Sequence, residues 1–246
     1  MIGDGCVWRI HHRAETESTN KDALGGMPGD VFTADHQTAG RGRLSHRWLS
    51  PPGENLTMSV VVDVAGVSPE AAATLPLVAG LAAAEAVKEC LAAHSRTASR
   101  METVGIKWPN DVLVGERKIC GILCERNGDR VIAGMGVNVN QRRFAAEIDG
   151  TATSLFLESG GTLPVERVRD VVLRHLAAEL DAWRAGGFRA VWPKIRDMDF
   201  LKGRVVTIAR TDDDVAPTDG LCGGISEDGS LLVGGNSVYA GSALWR

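Results

Sequence analysis

The spacing of apolar positions changes several times along the chain, and each change marks a predicted element. Between Asn55 and Asp63 apolar residues such as Met58 and Val60 recur at every second position. Alternation of this kind is typical of a strand, and Val31 to Gln37 is predicted to form another. The intervening residues, Thr38 to Asn55, hold five Gly or Pro residues and have no apolar period. This stretch is therefore predicted to be a long loop.

Three segments have helical character. A short helix is predicted from Ser18 to Leu24, with Ser18 as its N-cap. Ser68-Pro69-Glu70 has the order of N-cap, proline and acidic residue, and the helix that it begins is predicted to run to about Ala93. The Ala-rich and nearly uncharged surface of this helix indicates burial on more than one side. A third helix is predicted from Pro164 to Gly186-Gly187. Its apolar residues at helical spacing are Val165, Val168, Val172, Leu176 and Trp183.

The remaining patterns are those of strands. Ile106 to Val139 is predicted to form strands joined by tight turns at Gly115-Glu116 and Asn127-Gly128. From about Asp199 onward short apolar runs alternate with turn residues and no helix is predicted. We therefore expect two domains, residues 1–198 and 199–246, the second being all-β. The fold class is predicted to be α+β, with a mixed, mainly antiparallel sheet and helices in the first domain.

Composition and charge exclude several classes of protein. The chain has 246 residues, of which 44% are hydrophobic and 24% charged, with a net charge of -4. A negative net charge provides no overall attraction to nucleic acid or to an anionic membrane. The N-terminus has no signal-peptide pattern, and the most apolar stretch, Leu75 to Val87, is shorter than the about 20 residues that span a bilayer. We expect a cytoplasmic protein with no membrane partner.

The cysteines predict neither a disulfide framework nor a zinc site. The five of them are scattered and include no C-x-x-C pair. Cys120 and Cys124 lie four residues apart in an apolar run and are expected to be buried as small apolar side chains, while Cys6 lies near the N-terminus.

Four segments carry candidate chemistry, and the first lies in the predicted loop. It runs from Gln37 to Arg43 as Q-T-A-G-R-G-R and continues to Trp48. Its glycines permit close approach of the backbone to a ligand, and two arginines suit a phosphate or a carboxylate. Alone, the pattern also fits a solvated loop or an RNA-binding Gly-Arg segment.

The second and third segments each place a lysine on a strand. Gly105 to Val112 reads G-I-K-W-P-N-D-V, with polar residues where one strand ends and the next begins, or else a plain hairpin with a solvent-facing lysine. Arg117 to Glu125 contains Lys118 beside an apolar run in which Gly121 indicates close approach of a ligand or of another backbone. The alternative is an edge strand protected by its lysine.

The fourth segment, Gly134 to Asn140, reads G-M-G-V-N-V-N. Two glycines and two asparagines weaken a strand, which is understandable where backbone and amide groups face a ligand, or where the strand is bulged. The chain contains no P-loop, no histidine spacing that suits a metal, and no nucleophile elbow.

Taken together and in this order, the four segments resemble the biotin–protein ligase family. The resemblance includes Glu17-Ser18-Thr19-Asn20, similar to an early motif of that family, and extends from about Ile10 to the C-terminus. It implies a mixed-sheet catalytic fold followed by a small SH3-like β-barrel domain. It also implies that biotin and ATP, with Mg²⁺, form biotinyl-5′-AMP, from which biotin passes to a lysine of a carboxyl-carrier domain of a biotin-dependent carboxylase.

The resemblance also implies roles for individual residues. The implied catalytic residues are Lys118, Arg41, Arg43 and Asp111. The implied biotin-binding residues are Ser18, Thr19, Gln37, Gly40, Arg41, Lys118 and Gly121. The implied ATP and adenylate residues are Arg41, Arg43, Trp48, Lys107, Asn110 and Asn138. No residue is assigned to a metal.

The chain also departs from the family pattern. Many members have a further Gly and Arg where this chain has Ser45 and His46, which predicts altered loop behaviour. The motifs begin so close to the N-terminus that no winged-helix DNA-binding domain is expected, nor specific DNA binding; a monomer and a homodimer are both open. The alternatives are a lipoate–protein ligase, against which the Gly-Arg-Gly-Arg and Lys-Trp-Pro-Asn-Asp runs argue, and a non-catalytic repressor or RNA-binding module.

Overall fold

The computed structural model describes residues 8–44, 46–94, 103–209 and 218–245. Cys6 and Ser45 lie outside these residues. Seven strands form the larger sheet: β1 (Arg9–Thr16), β2 (Asp30–Gln37), β3 (Leu56–Asp63), β4 (Val104–Lys107), β5 (Asp111–Val114), β6 (Arg117–Asn127) and β7 (Arg130–Val137). The helices are α1 (Thr19–Asp22), α2 (Pro69–Ala72), α3 (Leu75–His94), α4 (Leu155–Ser159), α5 (Val165–Gly186) and α6 (Phe188–Asp197). A smaller sheet contains β8 (Val205–Ala209), β9 (Thr218–Ile225), β10 (Leu231–Val233), β11 (Asn236–Val238) and β12 (Ser242–Trp245).

The larger sheet has the strand order β1-β2-β3-β7-β6-β5-β4. The β1–β2 pair is parallel, whereas the other neighbouring pairs are antiparallel. This confirms the predicted mixed, mainly antiparallel sheet. The turns at residues 115–116 and 128–129 join β5 to β6 and β6 to β7, as the Gly-containing sequences indicate.

The apolar helix α3 lies in the centre of the fold. It packs against β6 on one side and α5 on the other, and Leu81, Ala82 and Leu91 are fully buried. This confirms the predicted burial on more than one side. The helical segment Pro69–Ala93 is long and apolar enough to span a membrane, so the expectation that this stretch is too short was wrong, but 72% of the apolar window is buried within the fold. Its apolar surface is therefore explained by core packing.

The smaller sheet follows the helices and has the order β11-β10-β9-β8-β12. It is joined to the larger sheet through β4, because the Ile106 amide donates to the Met198 carbonyl and the Phe200 amide donates to the Ile106 carbonyl. The indole Nε1 of Trp192 in α6 also donates to the Ile225 carbonyl at 2.8 Å. The division into residues 1–198 and 199–246, and the SH3-like character of the second part, stay predictions.

Local details agree with the sequence in part. Ser68 caps its helix, since its hydroxyl accepts from the Ala71 amide at 3.2 Å. Ser18 occupies the N-cap position of α1, but its side chain makes no capping hydrogen bond. Cys120 is buried and burial raises the pKa of its thiol to about 12, while Cys124 is half-buried. The expected burial is therefore confirmed for Cys120, whereas Cys124 is only partly buried.

Candidate active site

A cavity of about 360 Å³ opens between the larger sheet and the smaller one. Its floor is formed by apolar side chains and glycines of β3, β6 and β7, and its walls come from α1, the loop after β2, and β12. The floor residues are Met58, Gly121, Ile122, Leu123, Gly134, Met135 and Gly136. The polar groups of the cavity form two sets: a hydrogen-bonded set around Thr19 and Gln37, called the uncharged end, and a cluster around Lys118, called the cationic end. An ion pair between Arg41 and Glu125 adjoins the uncharged end.

The uncharged end is built by α1, β2 and β3. The amide and the hydroxyl of Thr19 both donate to Oε1 of Gln37, at 2.8 and 3.2 Å. The hydroxyl of Ser59 lies 2.7 Å from that of Thr19 and 2.6 Å from Oδ1 of Asn20. Thr19, Asn20 and Ser59 are buried. These groups form a preorganised set of donors and acceptors beside the apolar floor.

The cationic end is built by β4, β5 and β6. Nζ of Lys118 lies 2.6 Å from Oδ1 of Asp111. Nη1 of Arg43 donates to Oδ1 of Asn110 at 3.1 Å, and Nδ2 of Asn110 donates to the Ile122 carbonyl at 2.7 Å. Lys107 adds a third cation, which lies 4.6 Å from the ring centroid of Trp245.

The crowding of cations affects two side chains. Burial lowers the pKa of Lys107, Asp111 opposes this effect, and Lys118 and Arg43 add to it. Burial also lowers the pKa of Arg43, again against the opposing effect of Asp111. Three cations therefore share one carboxylate, Asp111, and a polyanion at this end of the cavity would relieve their mutual repulsion.

The loop after β2 is held over the cavity by side-chain and backbone contacts. Nη2 of Arg41 donates to Oε2 of Glu125 at 2.7 Å. Nη2 of Arg43 donates to the Gly241 carbonyl at 3.2 Å, which ties the loop to the start of β12. Gly40 is required by close packing, because a Cβ at this position would lie 2.5 Å from the Trp48 carbonyl oxygen.

The indole of Trp48 lies on the floor between the two ends. A Cβ on Gly121 would lie 3.2 Å from Cζ3 of Trp48, and a Cβ on Gly136 would overlap with its ring. Nζ of Lys118 lies 5.9 Å from the ring centroid. The indole Nε1 is buried and has no hydrogen-bond partner among the residues that the structure describes. The two strand glycines thus make room for an aromatic side chain of the protein itself.

Comparison with known proteins identifies the family of this chain. Residues 12–141 match the biotin/lipoate A/B protein ligase family. The chain belongs to this family. A biotin–[acetyl-CoA-carboxylase] ligase of Paracoccus denitrificans is 33% identical over 237 residues, covering 90% of this chain and 92% of the relative.

Two further comparisons, one of sequence and one of structure, also support membership of this family. A biotin–[acetyl-CoA-carboxylase] ligase of Mycobacterium tuberculosis is 39% identical over 192 residues, covering 75% of this chain and 69% of that protein. The solved structure of the biotin protein ligase from Aquifex aeolicus in complex with biotin and ATP is 28% identical and superposes with a TM-score of 0.83, covering 97% of this chain and 98% of the other. The fold class is confirmed.

Most of the predicted site residues meet in the cavity. Those that line it are Ser18, Thr19, Gln37, Arg41, Arg43, Trp48, Lys107, Asn110, Asp111, Lys118 and Gly121. Gly40 lies behind this lining. Asn138 is the exception: it is buried, and its Nδ2 donates to the Thr153 carbonyl at 2.9 Å. The structure therefore does not bring Asn138 to the cavity, because this amide serves the segment that follows β7.

The structure also decides between the alternatives for three segments. Lys118 is on β6, which has a neighbour on both sides, so it is not on an edge strand. The β7 registers with β3 and β6 are continuous, so Gly134 and Gly136 do not mark a bulge. Lys107 and Asp111 are cross-strand partners in a hairpin, but both side chains line the cavity rather than facing solvent.

Several residues that build the site could not be recognised from the sequence alone. Ser59 and Glu125 each lie on a strand that pattern alone marks as structural, and only tertiary contacts connect them to Asn20 and Arg41. Nδ2 of Asn20 donates to Oε2 of Glu125 at 2.7 Å. Ser242 and Leu244 reach the cavity from the smaller sheet. Only the E-S-T-N motif, which contains Asn20, was a usable signal.

Proposed function

We propose that this chain is an ATP-dependent biotin–protein ligase in which the two ends of one cavity bind the two parts of biotinyl-5′-AMP. The observation that carries this assignment is their juxtaposition. An uncharged pair, Thr19 and Gln37, and a cationic cluster around Lys118 line the same cavity over one apolar floor. Biotin has a polar ureido group, apolar rings and a terminal carboxylate. It therefore needs an uncharged polar site, an apolar surface and a cationic site in that order.

Biotin binds with its ureido group at the uncharged end. Thr19 and Gln37 supply hydrogen-bonding groups to the ureido edges, and the rings cover the apolar floor. Burying the ureido group without partners would cost about 2–7 kcal/mol, so these hydrogen bonds select for it. The carboxylate then points to Lys118 and the arginine loop.

In the first step an oxygen of the biotin carboxylate attacks the α-phosphorus of ATP. The new carboxyl–phosphate bond forms as the bond to the β-phosphate oxygen breaks, and pyrophosphate leaves with that electron pair. Two anions must approach one another, so fixed cations are needed. Lys118, Arg43 and Lys107 supply them in a partly buried site, where one preorganised donor is worth on the order of 10²–10³ in rate.

In the second step the amine of the carrier lysine attacks the carbonyl carbon of the mixed anhydride. The amide bond forms as the bond between the carbonyl carbon and the phosphate oxygen breaks, AMP leaves with that electron pair, and the proton that the amine loses passes to water. Only about one lysine in a thousand is neutral at about pH 7.4, because its pKa is near 10.4. Asp111 lies at the cationic end with a carboxylate that accepts a hydrogen bond from the amine and holds it for attack.

Mg²⁺ enters with ATP rather than in a protein site. Among the described residues no group of three or more His, Cys, Asp or Glu side chains is placed to hold a metal ion. Asp111, the carboxylate in the cavity lining, is already paired with Lys118. Because Mg²⁺ keeps most of its waters, the phosphates suffice as its ligands, and it neutralises part of their charge.

The remaining features of the proposal concern partners and compartment. The acceptor is a lysine of the carboxyl-carrier domain of a biotin-dependent carboxylase, and the enzyme acts in the cytoplasm as a monomer or homodimer. The net charge of -4 supports a protein that does not bind a specific DNA sequence. Sequence-dependent retardation of a DNA fragment at physiological salt would contradict this last point.

The deciding experiment is mass spectrometry of a carrier domain incubated with the protein, ATP, Mg²⁺ and biotin. A mass increase of one biotin is expected, with lipoate in place of biotin as the matched alternative substrate. Modification by lipoate and not by biotin would assign the other activity of the family. A carrier whose mass does not change with either would refute the proposal.

A further inference from the structure

Three apolar side chains are exposed together on the smaller sheet. Val205 of β8, Leu221 of β9 and Leu244 of β12 are 54%, 62% and 58% exposed. Val205 pairs with Leu221, and Leu244 pairs with Thr207. Directly paired residues, and residues two apart on one strand, point to the same side of a sheet. All four therefore share one side, which we call the outer face.

The opposite side of this sheet is already used by the core. The residues that alternate with those of the outer face are each about 1% exposed or less, and they are Val206, Ile208, Cys222 and Ala243. Asp219, which pairs with Thr207, also lies on the outer face and is exposed. The outer face is thus a mainly apolar surface with one carboxylate, on a small sheet whose other face is filled. Single exposed apolar residues are ordinary, but a set on one face of one sheet is typical of an interaction surface.

The outer face is continuous with the cavity. Leu244 belongs to it and also lines the cavity, as does Ser242, which pairs with Ala209. The arginine loop reaches the same strand through the hydrogen bond from Arg43 to the Gly241 carbonyl. The surface from Leu221 through Leu244 therefore leads to the mouth of the site without an intervening element among the described residues.

The second step of the reaction requires the carrier to bind at the mouth of the cavity. A lysine side chain has four methylene carbons and reaches about 6 Å from its backbone. A carrier whose amine attacks the anhydride must therefore lie against the rim of the cavity and cover the adjoining surface. A second copy of this chain seated on the outer face would obstruct that approach, so the arrangement favours the carrier as its occupant.

We infer that the outer face is the docking surface for the carrier domain, which places an apolar patch beside its acceptor lysine against Val205, Leu221 and Leu244. Arg47, an exposed cation at the rim, favours a carrier with an acidic residue near that patch, whereas Arg41 is already paired with Glu125. The inference rests on the proposed function, because it takes the acceptor to be a protein.

The test separates docking from chemistry. Val205→Glu and Leu221→Glu place a charge on the outer face at positions that do not line the cavity, and Ile10→Glu places one on the exposed strand β1, where Ile10 is 41% exposed. Three rates are measured for each: biotin-dependent ATP–pyrophosphate exchange without carrier, transfer of biotin to hydroxylamine, and transfer to the carrier over a range of carrier concentrations. Val205→Thr and Leu221→Thr serve as milder variants, and thermal unfolding checks the fold of each.

The expected result is that both glutamate variants lower kcat/KM for the carrier by about tenfold or more, through KM, while exchange and hydroxylamine transfer stay at the wild-type rate. The Ile10→Glu control should match the wild type in all three assays. Unchanged carrier kinetics in folded variants would overturn the inference, as would a parallel loss of exchange. If light scattering shows a wild-type dimer that the glutamate variants abolish without raising the carrier KM, the outer face joins two copies and the inference is wrong. Absence of exchange in the wild type would instead count against the proposed function.

Discussion

The indole of Trp48 fills the space that a side chain at Gly136 would occupy. Trp48 comes from the loop over the cavity, and Gly136 from the central strand β7 beneath it. The contact fixes the position of the indole between the uncharged and the cationic ends. The family resemblance implies that Trp48 contacts adenine, which stays a prediction, and the packing places its indole on the cavity floor beside Gly121.

Gly136→Ala is expected to displace the indole and to weaken adenylate formation by about tenfold. Inserting a methyl group into a packed site typically costs about 1–3 kcal/mol, and a loop residue yields more readily than a central strand. Biotin-dependent pyrophosphate exchange and tryptophan fluorescence measure the two effects. Gly150→Ala is the matched control, because a Cβ there meets nothing within 4 Å. Equal exchange rates in the two variants would show that the indole position does not matter.

Lys118→Ala is expected to lower the rate of adenylate formation by about 10²–10³ without unfolding the protein. The substitution removes the cation that lies 2.6 Å from Asp111 at the cationic end of the cavity. Pyrophosphate exchange measures the rate, and circular dichroism checks the fold. Lys21→Ala, which removes an exposed lysine of α1, is the control. Exchange at the wild-type rate in folded Lys118→Ala would remove this residue from the mechanism.

The KM for ATP is expected to increase with rising pH, and to do so at a lower pH than the loss of a proton from an ordinary lysine would cause. Burial lowers the pKa of Lys107, so the cation that faces the phosphates is lost earlier as the pH rises. The unfolded chain binds more protons than the folded chain between the two pKa values, so this group's contribution to stability rises with pH over the same window.

Lys107→Arg is the variant that tests this pH dependence, since arginine stays protonated throughout the range. The increase in KM should move to higher pH in the variant, while the melting temperature is followed in parallel. The same pH dependence in both proteins would assign the titration to another group.

Arg43→Gly is expected still to form biotinyl-adenylate, though more slowly, because Lys118 and Lys107 remain, and to release it. The substitution removes the hydrogen bonds to Asn110 and Gly241 that hold the loop over the cavity, while Thr19 and Gln37 at the biotin end are untouched. A loop that orders over the bound adenylate shields the anhydride from water and keeps it in place. Biotin incorporation into serum albumin measures the leak.

Arg47→Gly is the matched control for that variant, because within the described part of the chain the Arg47 side chain donates to the loop itself, at the Thr38 carbonyl, at 3.3 Å. Limited proteolysis of the loop with and without biotin plus ATP tests closure directly. Equal protection in both states, or albumin labelling no faster than with the wild type, would contradict the gating role of Arg43.

Several elements escaped prediction for identifiable physical reasons. β1 is an edge strand with residues exposed on both faces, so it has no apolar alternation to detect. α6 contains Pro193, which is a helix-breaking signal in the sequence, yet burial of Phe188, Val191 and Ile195 against the core keeps the segment helical. Tertiary packing outweighed local propensity in the second case.

The sequence by itself determined the class of elements, the buried character of α3, and the chemistry of the four motifs. Those features depend on local spacing and on residue type, both of which are visible in the chain. The tertiary structure alone decided that Glu125 partners Arg41, that Arg43 reaches Gly241, and that the Asn138 amide turns toward Thr153. Such contacts join segments as much as 198 positions apart, and they arise from packing between elements, which no local period encodes.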